Sequence, residues 1–128
     1  MPFELRLCTK EDAQESAQLV VESFKNNPFR KIIFPNGMGK ASMDKIVVSQ
    51  IKAVDDPDEY PIKIVDTETG EMAACALWAH TKVLNEGDWD REKQEAMHAY
   101  PEARRDILEP FVMRDQDTKR RIMGNTRW

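Results

Sequence analysis

The eight residues from Met72 to Ala79 carry no charge, in a chain where 33% of residues are Asp, Glu, Lys or Arg. A run of that length is too short for a typical helix, and it is apolar at both alternating sets of positions, as in a strand covered on both faces. Just before it, Tyr60, Ile62 and Ile64 alternate with other residues, and Asp66, Thr67, Glu68, Thr69 and Gly70 supply turn chemistry. The pattern predicts an antiparallel hairpin whose second strand is deeply buried. Any fold for this chain has to be built around that hairpin.

Other elements follow from local spacing. Phe3, Leu5 and Leu7 alternate with Glu4 and Arg6, which predicts a short half-buried strand. Thr9 and Asp12 form a capping pair, and Ala13, Ala17, Val20, Val21 and Phe24 recur at helical spacing, so a helix is expected from Lys10 to Phe24. Pro28 is expected to break the chain into a loop with Phe29 at its tip. Ile32, Ile33 and Phe34 make an apolar knot before a Pro35-Asn36-Gly37 turn, and Met43, Ile46, Val47, Ile51 and Val54 mark a second helix. Residues from Trp89 to Tyr100 and from Glu102 to Met123 are expected to be helical, with interruptions at Pro101 and Pro110. The order is that of an α+β fold, an antiparallel sheet flanked by helices.

Composition narrows the function classes. A chain of 128 residues with 41% hydrophobic content is expected to form a single domain over residues 1–128, burying about two-thirds of its unfolded surface. Nineteen Lys and Arg against 23 Asp and Glu give a net charge of -4, which argues against nucleic acid as a partner, because phosphate affinity rests on cationic side chains. No window approaches 18 uninterrupted apolar residues, and Met1 to Arg6 lack the apolar stretch of a secretory signal. A cytoplasmic protein without a membrane partner is expected. Cys8 and Cys75 have no metal-type spacing and read as buried thiols, while His80 and His98 are far apart, so no metal site is expected.

Three strings, taken with the order of elements, resemble the amino-terminal half of the GNAT superfamily of N-acetyltransferases, particularly its divergent fungal members. They are Leu5-Arg6-Leu7 with Thr9 to Ala13, Phe24 to Phe29 with Phe34-Pro35, and Gly70 to Trp78. Arg121 to Gly124 is similar to the family's approach to its fourth strand. The resemblance implies acetyl transfer from acetyl-CoA to an amine, with a base removing a proton and backbone amides stabilising the oxyanion. The family cradles the cofactor pyrophosphate on amides of a glycine-rich turn after the fourth strand. None of Gly37, Gly39, Gly70, Gly87 and Gly124 falls in such a turn. The expectation is therefore a truncated GNAT-like fold with no cofactor of its own, binding acetyl-CoA only if a missing half is supplied.

A sheet lacking its later strands leaves the strand from Met72 to Ala79 as an edge, and such an edge calls for cover. A homodimer, or a complex with a second polypeptide, is expected. If the chain is catalytic on a small molecule, His80 is the acid or base candidate, with Asp88 orienting it; the bland readings are a polar strand end and a helix cap. Phe29, Tyr60, Trp78 and Trp89 are candidates to line a pocket, with core packing the simpler role for each; the resemblance places the acceptor near Phe29 and Trp78, and Tyr100 is an additional acid candidate. Lys119, Arg120, Arg121 and Arg127 form a basic end that suits an acidic partner or a helix C-terminus. The second class of function is a non-catalytic binding or assembly module.

Overall fold

The computed structural model describes residues 2–80 and 84–124, so Arg127 and the end at Trp128 lie outside the described residues. Strand β1 (Phe3–Leu7) is followed by a 3-10 turn (Lys10–Asp12) and helices α1 (Ala13–Ser23), α2 (Pro28–Ile33) and α3 (Lys40–Asp55). Strands β2 (Glu59–Asp66) and β3 (Met72–Ala79) come next, then helices α4 (Glu86–His98) and α5 (Arg105–Met123). The fold is α+β, with one three-stranded antiparallel sheet in the order β1-β2-β3. No helix among the described residues is long and apolar enough to cross a membrane.

The chain divides into two compact units, one of Met1–Lys25 with Met43–Ala79 and one of Asn26–Ser42 with His80–Trp128. The first holds the sheet. Leu5 pairs with Ile64 and Leu7 with Ile62, while across β2 Ile64 pairs with Ala74 and Ile62 with Ala76. The β2–β3 connection is a tight turn: Gly70, at φ 78°, donates its N–H to the Asp66 carbonyl. That left-handed conformation suits a residue without Cβ. Pro61 sits in the central strand without disrupting it, because its carbonyl accepts from Cys8 N one position past the end of β1. The N–H it lacks would point to the same side, where the ladder is already closing.

Helix α1 covers one sheet face through Ala13, Ser16 and Ala17, all buried. Small residues at this i, i+3, i+4 spacing let a helix approach a sheet closely. The sheet itself departs from expectation. Strand β3 is buried only at Met72, half-buried at Cys75 and exposed elsewhere, and β1 is exposed throughout. Alternation marks β1 and the uncharged run marks β3, yet the half-burial expected of β1 and the deep burial expected of β3 are both missing, β3 being withdrawn from water only around Met72 and Cys75.

The second unit closes its core. Ile33, Phe34, Ala103, Leu108 and Val112 are buried together, with Met38, Ala96, Met97, Tyr100 and Ile107 packed around them. The Phe34 and Tyr100 rings meet edge to face at 5.7 Å. Two sequence expectations change here. Pro28 starts α2 instead of making a loop: Asn27 caps the helix by accepting from Phe29 N at 2.9 Å, and Pro28 occupies a first-turn position that needs no N–H. Pro110 lies inside α5 without ending it, because it sits on the exposed side while Leu108 and Val112 on either side are anchored in the core. The carbonyl it leaves without a partner belongs to the exposed turn at Asp106, where water can serve.

A contact across 60 residues fixes the start of α3. Both Glu102 carboxylate oxygens accept from Ser42 N, at 2.9 and 3.2 Å, and the Ser42 hydroxyl donates to the same group. These bonds to Ser42 hold the Glu102 carboxyl below its ordinary pKa. A negative charge at a helix N-terminus satisfies amides that the helix cannot.

Candidate functional site

Strand pairing sorts the sheet side chains into two faces. One carries Glu4 and Arg6, Lys63 and Val65, and Cys75, and it meets α1. Lys63 donates to Asp12 Oδ1 at 2.6 Å in a largely buried ion pair, Met72 N donates to Glu15 at 2.9 Å, and Cys75 Sγ lies 4.0 Å from the Ser16 carbonyl. Burial alone would raise the Asp12 pKa, but bonds from Lys63 and Thr9 outweigh it and leave the carboxyl below its ordinary value. Cys8 is shifted the other way: burial, then the nearby Asp12 charge, pushes its thiol up, which makes it a poor nucleophile.

The opposite face carries Phe3, Leu5 and Leu7 from β1, Tyr60, Ile62 and Ile64 from β2, and Ala74, Ala76 and Trp78 from β3. No basic residue lies on it. Its one acid, Asp66, turns its carboxylate to the hairpin turn, where Oδ1 accepts from Glu68 N at 2.9 Å. Five of its side chains are more than half exposed: Phe3 52%, Tyr60 52%, Leu5 64%, Leu7 66% and Trp78 67%. A contiguous apolar surface with aromatic side chains at its ends is the composition of a protein-docking face.

The residues expected at a small-molecule site separate between the units. Trp78 lies on this sheet face opposite Tyr60. Phe29 belongs to the helical unit, where its ring lies 5.1 Å from that of Phe111 at 55°. Its position is the first turn of α2, not a loop tip, and nothing in the sequence near Phe29 marks Phe111 as its neighbour. His80 is exposed directly after β3. Asp88 takes the helix-cap role: it is the third residue of α4, accepts from Asn85 N at 3.2 Å and pairs with Arg91 at 2.7 Å. The Asn85 bond and then the Arg91 bond lower its pKa, so its carboxylate is ionised and occupied locally.

The weaker candidates are in packing roles. Trp89 is buried, with the Lys119 ammonium 5.7 Å from its ring and Glu92 3.1 Å from the same ammonium. Tyr100 packs against Phe34. Of the basic end, Lys119 and Arg120 pair with Glu92 and Glu86 of α4. No group of His, Cys, Asp and Glu suited to a metal ion occurs among the described residues. The sheet unit also has an open groove of about 520 Å³, with Glu15, Leu19, Met43 and Met72 in its walls. Comparison with known proteins gave no matching family model, curated protein or solved structure.

Proposed function

We propose that this chain is the acceptor-side half of a GNAT-like fold and works as an assembly module, as a homodimer or with a second polypeptide. The observation carrying this reading is β3, an eight-residue strand without a charge that pairs only with β2 among the described residues. Solitary proteins blunt such edges with Lys, Pro, bulges or a covering element. Strand β3 has one bulge, at Ala73, where its register against Ile64 and Val65 shifts, and from Ala74 to Ala79 its edge carries neither Lys nor Pro. The opposite edge, β1, is shorter and carries Glu4 and Arg6. The element order of strand, helices and antiparallel hairpin agrees with the resemblance in Leu5 to Ala13 and Gly70 to Trp78.

On this reading the amine acetylation of full-length relatives needs an amide cradle that these residues do not supply, and the chain contributes the surface on which the complementary part is seated. Calorimetric titration of the chain with acetyl-CoA is the test. No saturable heat is expected from the chain alone. Saturable binding to the monomer would overturn the half-fold reading.

A further inference from the structure

We infer that the bare sheet face seats a second copy of this chain, stacked face to face about a two-fold axis that runs along β2. This rests on the assembly reading and names a partner for the exposed face, while the β3 edge itself stays unpaired in such a stack. Three observations select the occupant. The first is the distribution of side-chain size. At one level of the sheet Leu5, Ile64 and Ala74 lie in a row, and at the next level Leu7, Ile62 and Ala76 do. A two-fold axis along β2, between the stacked sheets, lays β1 of each copy over β3 of the other without changing level. Leu5 then meets Ala74 of the other copy, Leu7 meets Ala76, and the isoleucines meet each other. Large side chains over small ones are what close packing between two layers requires.

The ends of the face match in the same way. Trp78 and Tyr60 occupy a level that β1, ending at Leu7, does not reach. The ring of Trp78 therefore projects past the end of the β1 strand of the other copy. At the other end Phe3 pairs with Asp66, beside the hairpin turn and beyond Met72, the first residue of β3.

The second observation is charge. The chain is acidic overall, with a net charge of -4, which opposes self-association. This face presents one charged side chain, the turn-bound Asp66, which the axis brings opposite its own counterpart at one end; between Ile64 and Tyr60 the face carries no charge to repel a second copy. The third is area. The five most exposed side chains of the face offer at most roughly 600 Å² per copy, so two copies together can bury no more than the roughly 1,200 Å² at which specific interfaces begin, which places the dimer among weak, reversible ones.

The experiment uses the full chain. Sedimentation velocity over a concentration series is expected to show a reversible monomer–dimer equilibrium in the micromolar range. Leu7→Glu is expected to weaken the dimer at least 100-fold without changing the circular dichroism of the monomer, because Leu7 is exposed there. In a Cys8→Ser, Cys75→Ser background, Leu7→Cys with Ala76→Cys is expected to give a covalent dimer with a short bis-maleimide reagent, which spans the roughly 10 Å between stacked sheets that a disulfide cannot. The exchange Leu7→Ala with Ala76→Leu is expected to restore the association that Leu7→Ala alone weakens.

A dimer that survives Leu7→Glu and gives no cross-link would overturn the stacking while leaving assembly through the β3 edge. A chain that stays monomeric to about 100 µM, well above the Kd range of specific complexes, would overturn the second copy as occupant. Neither result bears on acetyl-CoA binding, so failure here is distinguishable from failure of the half-fold reading.

Discussion

The two units use similar apolar residues to opposite ends. In the helical unit Ile33, Phe34, Leu108 and Val112 converge and are almost wholly withdrawn from water. In the sheet unit Phe3, Leu5, Leu7 and Trp78 are as apolar and as regularly placed, yet they remain more than half exposed. The cause is geometric. A bundle of short helices surrounds its own interior, whereas a sheet of three strands has two faces, and α1 covers one of them. What is stability in one unit is a stored capacity for contact in the other.

Leu108→Ala should sharpen that contrast most. Leu108 is 4% exposed, and its truncation should cost about 2–5 kcal/mol in chemical denaturation of the helical unit. Leu5→Ala, measured on dilute monomer, should change stability by less than about 0.5 kcal/mol. A large loss from Leu5→Ala in the monomer would break the comparison, because it would mean the face is covered within one chain.

The covered side of the sheet supplies the next test. Asp12→Asn leaves the largely buried Lys63 side chain without its charged partner and should cost about 1–3 kcal/mol. Folding lowers the Asp12 pKa, so the native state gains from the ionised form. That gain is complete above the ordinary carboxylate value of about 3.9 and is lost as pH falls through the lower folded value. The stability gap between wild type and Asp12→Asn should thus be widest near neutrality and narrow under acid. A gap that widened as pH fell would reverse the sign of the argument.

Smaller still is the expected effect of Asn27→Ala. Losing the side-chain bond to Phe29 N should cost about 1 kcal/mol, seen as a modest drop in melting temperature. If Asn27→Ala proved neutral, the start of α2 would be held by the burial of Ile33 and not by its cap.

Much of the fold is legible in the sequence because its signals are local. The alternation of Tyr60, Ile62 and Ile64, the Asp66 to Gly70 turn, and the Asn85–Asp88 cap each lie within a few residues. The burial of β3 is not legible, because an apolar strand has the same pattern whether or not anything lies against it. Pro28 misleads since a proline that breaks one helix also fits the first turn of the next, and the deciding residue is Asn27 before it. The bonds between Glu102 and Ser42 escape local reading altogether. The candidate site divides in the same way: Trp78 and Tyr60 follow from the hairpin register, while the pairing of Phe29 with Phe111 depends on how helices far apart in sequence come together.

The reach of Glu102 also restricts what evolution can do at Gly39. A Cβ there would come within 2.7 Å of the Glu102 Oε1 atom, and that carboxylate is already committed to Ser42. Gly39→Ala would have to displace it, and should be tolerated far better where position 102 has first become small. Two sites distant along the gene are therefore expected to change in a fixed order, the acid before the glycine.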